Sequence, residues 1–71
     1  MSPLTTSLLP LEVGEHVWVD ATAERYVQTM RAVSSAPNRH RALAGRTFSG
    51  NLYVAVRGAE ACYLVKATRI S

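Results

Sequence analysis

Residues 46–70 read RTFSGNLYVAVRGAEACYLVKATRI, and the periodicity of this stretch decides the fold. From Arg46 the pattern repeats every second residue, as in a strand whose side chains alternate between two faces. Phe48, Gly50, Leu52, Val54 and Val56 share one face; Thr47, Ser49, Asn51, Tyr53, Ala55 and Arg57 share the other. Gly58-Ala59-Glu60 reads as a hairpin turn. Cys62 to Ile70 is then a second strand, rich in residues that favour sheets. Pairing Arg57 with Ala61 sets Val56 opposite Cys62, Val54 opposite Leu64 and Phe48 opposite Ile70. That register makes the apolar set the core face. It leaves Ser49, Asn51, Tyr53 and Arg57 outside with Tyr63, Val65 and Arg69. Lys66 becomes a misfit pointing inward near Leu52, which a bulge between Tyr63 and Thr68 would relieve.

Upstream, the period changes to that of a helix. Ala23, Tyr26, Val27, Met30 and Val33 or Ser34 recur at helical spacing, which predicts a helix from about Ala21 to Ser35. Asp20 is suited to cap it, and Glu24 suits the positive end of the helix dipole. Pro37 interrupts this helix or starts a second one, capped by Ser34 or Ser35. The second would run through Arg39, His40, Arg41, Leu43 and Ala44 and stop at Gly45. Before the long helix, His16-Val17-Trp18-Val19 reads as a strand with one alternate pair facing inward. Residues 1–10, MSPLTTSLLP, read as a flexible arm. The expected architecture is a single α+β domain over 11–71: strand, helix, β-hairpin, forming a three-stranded antiparallel sheet with helix on one face.

Composition bounds the function. A chain of 71 residues supports one domain, burying about 60% of its unfolded surface, and seldom a deep catalytic cleft. Cys62 is the only cysteine, so an intramolecular disulfide and a thiolate zinc site are both excluded. Residues 1–10 lack the basic start of a signal peptide, and no apolar run approaches the ~20 residues that cross a bilayer. These features predict a cytoplasmic protein with no membrane partner. Net charge is +3, but four of the five acids (Glu12, Glu15, Asp20, Glu24) precede Arg25. All eight bases and one acid, Glu60, follow from Arg25 onward, giving −4 in front and 8 − 1 = +7 behind. Such a field attracts nucleic acid or an acidic protein surface.

The side-chain inventory argues against an enzyme. His16 and His40 lie in different elements without ligand-spaced partners, and the four glycines form no phosphate loop. Ser34 and Ser35 read as caps, His40 as a half-buried side chain, and Cys62 as a small inward hydrophobe. No catalytic residue, metal or cofactor is expected. The nucleic-acid expectation rests on the outer sheet face, where Arg57 and Arg69 offer charge and Tyr53 and Tyr63 offer rings for stacking. Arg39, Arg41 and Arg46 would hold the phosphate backbone of DNA or RNA. The competing reading makes Tyr53, Tyr63 and Val65 an apolar seam, covered by homodimerisation or by Trp18 and the N-terminal arm. A third reading takes Trp18, Tyr53, Tyr63 and the arginines as hot-spot residues for a host protein complex.

The order of residues also resembles that of many small phage and prophage accessory proteins. The resemblance spans about residues 11–70. It is carried by Leu11-Glu12-Val13-Gly14-Glu15, Arg31-Ala32-Val33-Ser34-Ser35-Ala36, Gly45-Arg46-Thr47-Phe48-Ser49 and Thr68-Arg69-Ile70. Pro37 and Ala67 depart from the pattern, which usually has an unbroken helix and an aromatic near the last arginine. The resemblance implies a phage accessory role without a settled biochemical activity; beside nucleic-acid binding, the side chains suit an inhibitor of a host polymerase or of a defence system such as CRISPR. It supplies no catalytic residues.

Overall fold

The computed structural model describes residues 3–71 and has the expected α+β architecture. Helix α1 (Pro3–Leu8) is followed by strand β1 (His16–Ala21), helix α2 (Tyr26–Arg39) and a single 3-10 turn at Arg41–Leu43. Strands β2 (Phe48–Arg57) and β3 (Glu60–Arg69) complete a three-stranded antiparallel sheet in the order β1-β3-β2. Helix α2 packs on one face of this sheet; the other face has no helix over it.

The centre of the molecule is built from small residues at one level of the sheet. Val17, Ala67 and Gly50 stand side by side on the three strands. Their low profile lets the helix descend until a Cβ on Gly50 would lie 3.4 Å from the Cα and carbonyl oxygen of Met30. Val33 and Ala36 of α2 are thereby buried with Val65, Ala67, Phe48, Leu43 and Leu8. Fully burying a side chain of valine or leucine size contributes about 1.5–3 kcal/mol, so these few residues carry most of the stability.

Several boundaries differ from the expectation for local reasons. Residues Pro3–Leu8 form a helix in place of a flexible arm, because Leu8 and Thr5 are fully buried against the core; Met1 and Ser2 lie outside the described residues. Asp20 belongs to β1, and Thr22 takes over the capping role: its hydroxyl and carbonyl accept the amides of Arg25 and Tyr26. Helix α2 therefore starts five residues later than expected and runs through Pro37. Its last turn holds the proline without breaking, and the residues after it make only one 3-10 turn.

The hairpin register moves by one residue. The loop contains two residues, Gly58 and Ala59, so Arg57 pairs with Glu60, Val56 with Ala61 and Phe48 with Arg69. Gly58 has φ +59° while Ala59 stays at negative φ, the pattern of a tight turn that needs glycine first. A one-residue slip moves a whole strand to the opposite face. Tyr63, Val65, Ala67 and Arg69 consequently point toward the helix, and Cys62, Leu64 and Lys66 point away from it. Lys66 needs no bulge.

The Gly50 approach makes a direct prediction. Gly50→Ala adds a methyl group at ordinary contact distance and should leave stability nearly unchanged. Gly50→Val forces α2 away from the sheet and should cost about 1–3 kcal/mol in denaturant unfolding.

Candidate nucleic-acid interface

The helix-free face of the sheet has three levels of side chains that cross all three strands, and two more, Ala55 with Cys62 and Arg57 with Glu60, on the hairpin alone. His16, Thr68 and Ser49 form the first, Trp18, Lys66 and Asn51 the second, and Asp20, Leu64 and Tyr53 the third. Trp18 and Tyr53, from the two outer strands, reach over β3 and meet edge to face, with ring centroids 5.1 Å apart. His16 meets Trp18 in the same manner at 5.8 Å, and the Lys66 ammonium lies 5.9 Å from the Trp18 ring. Edge-to-face pairs are worth about 0.5–1.5 kcal/mol, enough to hold the rings upright. Even so, Trp18 and Tyr53 each keep 47% of their surface open. The half of the face around His16, Lys66, Asn51, Ser49 and Thr68 contains no acid. Asp20 and Glu60 lie toward the hairpin tip, Glu60 opposite Arg57.

The sequence-predicted site residues separate into three groups. Tyr53, Arg57 and Trp18 do lie on the helix-free face. Tyr63 does not: the register turns it toward the helix, where it stacks on Tyr26 at 6.1 Å with the rings 14° from parallel. Arg69 is also turned inward, and its guanidinium is committed to backbone oxygens. Its Nη1 donates to the Leu11 carbonyl at 2.9 Å and its Nε to Ser71 O at 3.1 Å. Arg46 is held the same way, donating to the Leu9 carbonyl at 2.7 Å. Both contacts are partly buried and tie the segment after α1 to the sheet. Arg39 and Arg41 are exposed at the end of α2 and in the 3-10 turn, in the helical layer and across the sheet from Trp18. The expected single basic and aromatic face is therefore divided. Most arginines belong to the helical layer or to structural clamps, and Lys66, His16 and Asn51 take their place beside the rings.

The motif around Gly14 is also structural. Glu12 and Glu15 close a turn on each other, with the Glu15 carboxylate accepting the Glu12 amide at 2.7 Å. Gly14, at φ +90°, donates its amide to the Arg69 carbonyl, and the Arg69 amide donates to Glu15. Residues 12–15 and 69 thus form one lock at the start of β1. Among the described residues, no three His, Cys, Asp or Glu side chains converge as metal ligands. No helix among them is long and apolar enough to cross a membrane. No family model matches the chain, and no curated protein or solved structure is significantly similar to it.

Two measurements check this assignment of residues. Arg69→Ala should cost about 1–2 kcal/mol in unfolding free energy, since it loses a charge-assisted bond to the partly buried Leu11 carbonyl and an exposed one to Ser71. Arg57→Ala should stay within about 0.5 kcal/mol of the parent. Cys62, exposed on the helix-free face, should react with a maleimide in the folded protein nearly as fast as in denaturant. Strong protection would instead fit the inward register.

Proposed function

We infer that the protein binds single-stranded nucleic acid on the helix-free face of its sheet. The observation that carries this reading is the Trp18–Tyr53 pair, half exposed on an open sheet with Lys66 between the strands that bear it. Bases stack on such rings whatever their identity, because every base has a π-face. His16 adds a third ring. Asn51, Ser49 and Thr68 add donors and acceptors that can reach base edges, and Lys66 meets a phosphate.

A face of this composition binds mainly by stacking. Only Lys66, and Arg57 further along, are available to phosphates there, so few counterions would be released. The reading therefore departs from a charge-driven one in its salt response: about 0.7 log units of affinity per log unit of salt for each phosphate met. The phage accessory role implied by the residue order remains compatible with this activity and is not required by it.

The test is a fluorescence titration with short single-stranded and duplex DNA and RNA at two salt concentrations, reading quenching of Trp18, the only tryptophan. Single strands should quench it, with a shallow salt dependence and little binding of duplex. Tyr53→Ala in the same titration, and Trp18→Ala followed by the anisotropy of a dye-labelled strand, should weaken binding by about 1–3 kcal/mol per stacked base, roughly 5- to 150-fold. Arg41→Ala, across the sheet, should leave affinity unchanged. Absence of quenching at low salt would reject the reading. It would favour the same rings as anchors for a host protein complex, which a pull-down from lysate followed by Trp18→Ala would test.

A further inference from the structure

We propose that two copies of this chain pair through the open edge of β2, joining their sheets into one six-stranded sheet around a two-fold axis. The two outer edges of the sheet are treated differently. Beside β1, helix α1 and α2 come together, with Pro3, Leu4 and Ser7 lining a cleft against Trp18, Val19 and Asp20. Among the described residues, β2 has a neighbouring strand on one side only, and α2 lies over the face of its first half near Gly50 and not beside its outer edge. The strand has ten residues paired one to one with β3, without a bulge or proline, and Arg57 is its only charge. Natural sheets normally protect an edge with just these devices, and a long, regular edge with a charge only at its end is a template for another strand.

The phase of the ladder turns the right groups outward. Ile70 donates its amide to the Thr47 carbonyl at 2.7 Å, and Arg69 exchanges bonds with Gly14 and Glu15 on the β1 side. Alternation along an antiparallel pair then directs the odd residues of β2 at β3 and the amides of Leu52, Val54 and Val56 at the open edge. The side chains of these three residues lie on the helix side of the sheet. There Val56 keeps 69% of its surface exposed, because β1 ends opposite Tyr63 and α2 begins only at Tyr26. Val27 and Ile70 continue the apolar strip along a groove between α2 and β2.

The dimensions and the charges both select a second copy. The chain exposes 4877 Å², against about 4,300 Å² for a compact monomer of its mass. Its radius of gyration is 12.4 Å, against about 11 Å for a compact chain of this length. A surplus of roughly 500 Å² per chain, roughly 1,000 Å² in a pair, matches the lower bound of about 1,000 Å² for a specific interface and fits a small, concentration-dependent contact. Centred on Val54, antiparallel pairing places Val54 against its own copy and Val56 against Leu52 of the second copy. Each Arg57 then faces an Asn51, and the two arginines stand about 20 Å apart along the strands, beyond the screening length of about 8 Å. The contact is self-complementary, as a two-fold interface must be.

The experiment is sedimentation equilibrium of the full chain under reducing conditions without nucleic acid, so its outcome is independent of the proposed binding activity. The mass should rise with concentration from 7.7 kDa toward twice that, 2 × 7.7 = 15.4 kDa. Val56→Lys puts like charges into the seam. Val54→Pro removes an edge amide without removing a bond to β3. Both should weaken association at least tenfold while the far-ultraviolet circular dichroism is kept. Hydrogen exchange of the parent should show the Leu52, Val54 and Val56 amides protected at high concentration and open at low, a readout that stands even if a variant fails to fold. A monomer at millimolar concentration would overturn the proposal. So would a dimer whose edge amides exchange freely.

Discussion

A connection of two residues, Gly58-Ala59, pairs Arg57 with Glu60 and sets the face of every side chain in the last two strands. Glycine first is what permits it, since Gly58 takes a positive φ that a side chain would resist. From that pairing follow the buried row of Val65 and Ala67, the outward Lys66, the inward Tyr63 and the exposed Cys62. β1 takes its own register on the other side of β3, fixed at its start by Gly14, Glu15 and Arg69, and this brings Trp18 beside Lys66 and within reach of Tyr53. The core depends on this short turn, and the candidate binding face on the turn together with the lock at the start of β1.

The arginines illustrate how one residue type serves opposed ends. A guanidinium offers five donors in a rigid fork, so it can hold phosphate or satisfy main-chain carbonyls at the edge of a core. In a domain this small, carbonyls between elements have few other donors. Arg46 and Arg69 are used there, stitching Leu9 and Leu11 to the sheet. This explains the short arginine motifs of the sequence in physical terms. Gly45-Arg46-x-Phe48 and Thr68-Arg69-Ile70 place a clamp next to a core or edge residue, and the segment ending in Gly14-Glu15 makes the turn that receives the second clamp. Such motifs can accompany a fold without marking a binding site.

The sheet is left with two unfilled demands. Its helix-free face carries half-exposed aromatic rings, and its β2 edge carries unpaired backbone and valines. One surface suits a ligand that stacks and the other suits a strand. The two do not compete, since Trp18 and Tyr53 point away from the side on which Val54 and Val56 lie. Edge pairing would set two aromatic faces on the same side of one continuous sheet.

Periodicity alone determined the class of fold, the three strands, the antiparallel hairpin, the long helix and the outward placement of Tyr53 and Arg57; it split His16 and Trp18 from Val17 and Val19 without saying which pair faces the core. These depend on local patterns that burial enforces over many residues at once. Helix ends were less legible, because Thr22 and Asp20 are both good caps and only the length of β1 chooses between them. The glycine at the first position of the turn was a readable sign of the two-residue loop. Cys62 to Ile70, however, has apolar residues on both faces, and the inward Lys66 was the one local sign against the other register. What only the tertiary structure decided was that register, the burial of Leu8 that orders α1, and the use of Arg46 and Arg69 on distant carbonyls. Each rests on groups far apart in the chain, where no local spacing encodes which donor will meet which acceptor.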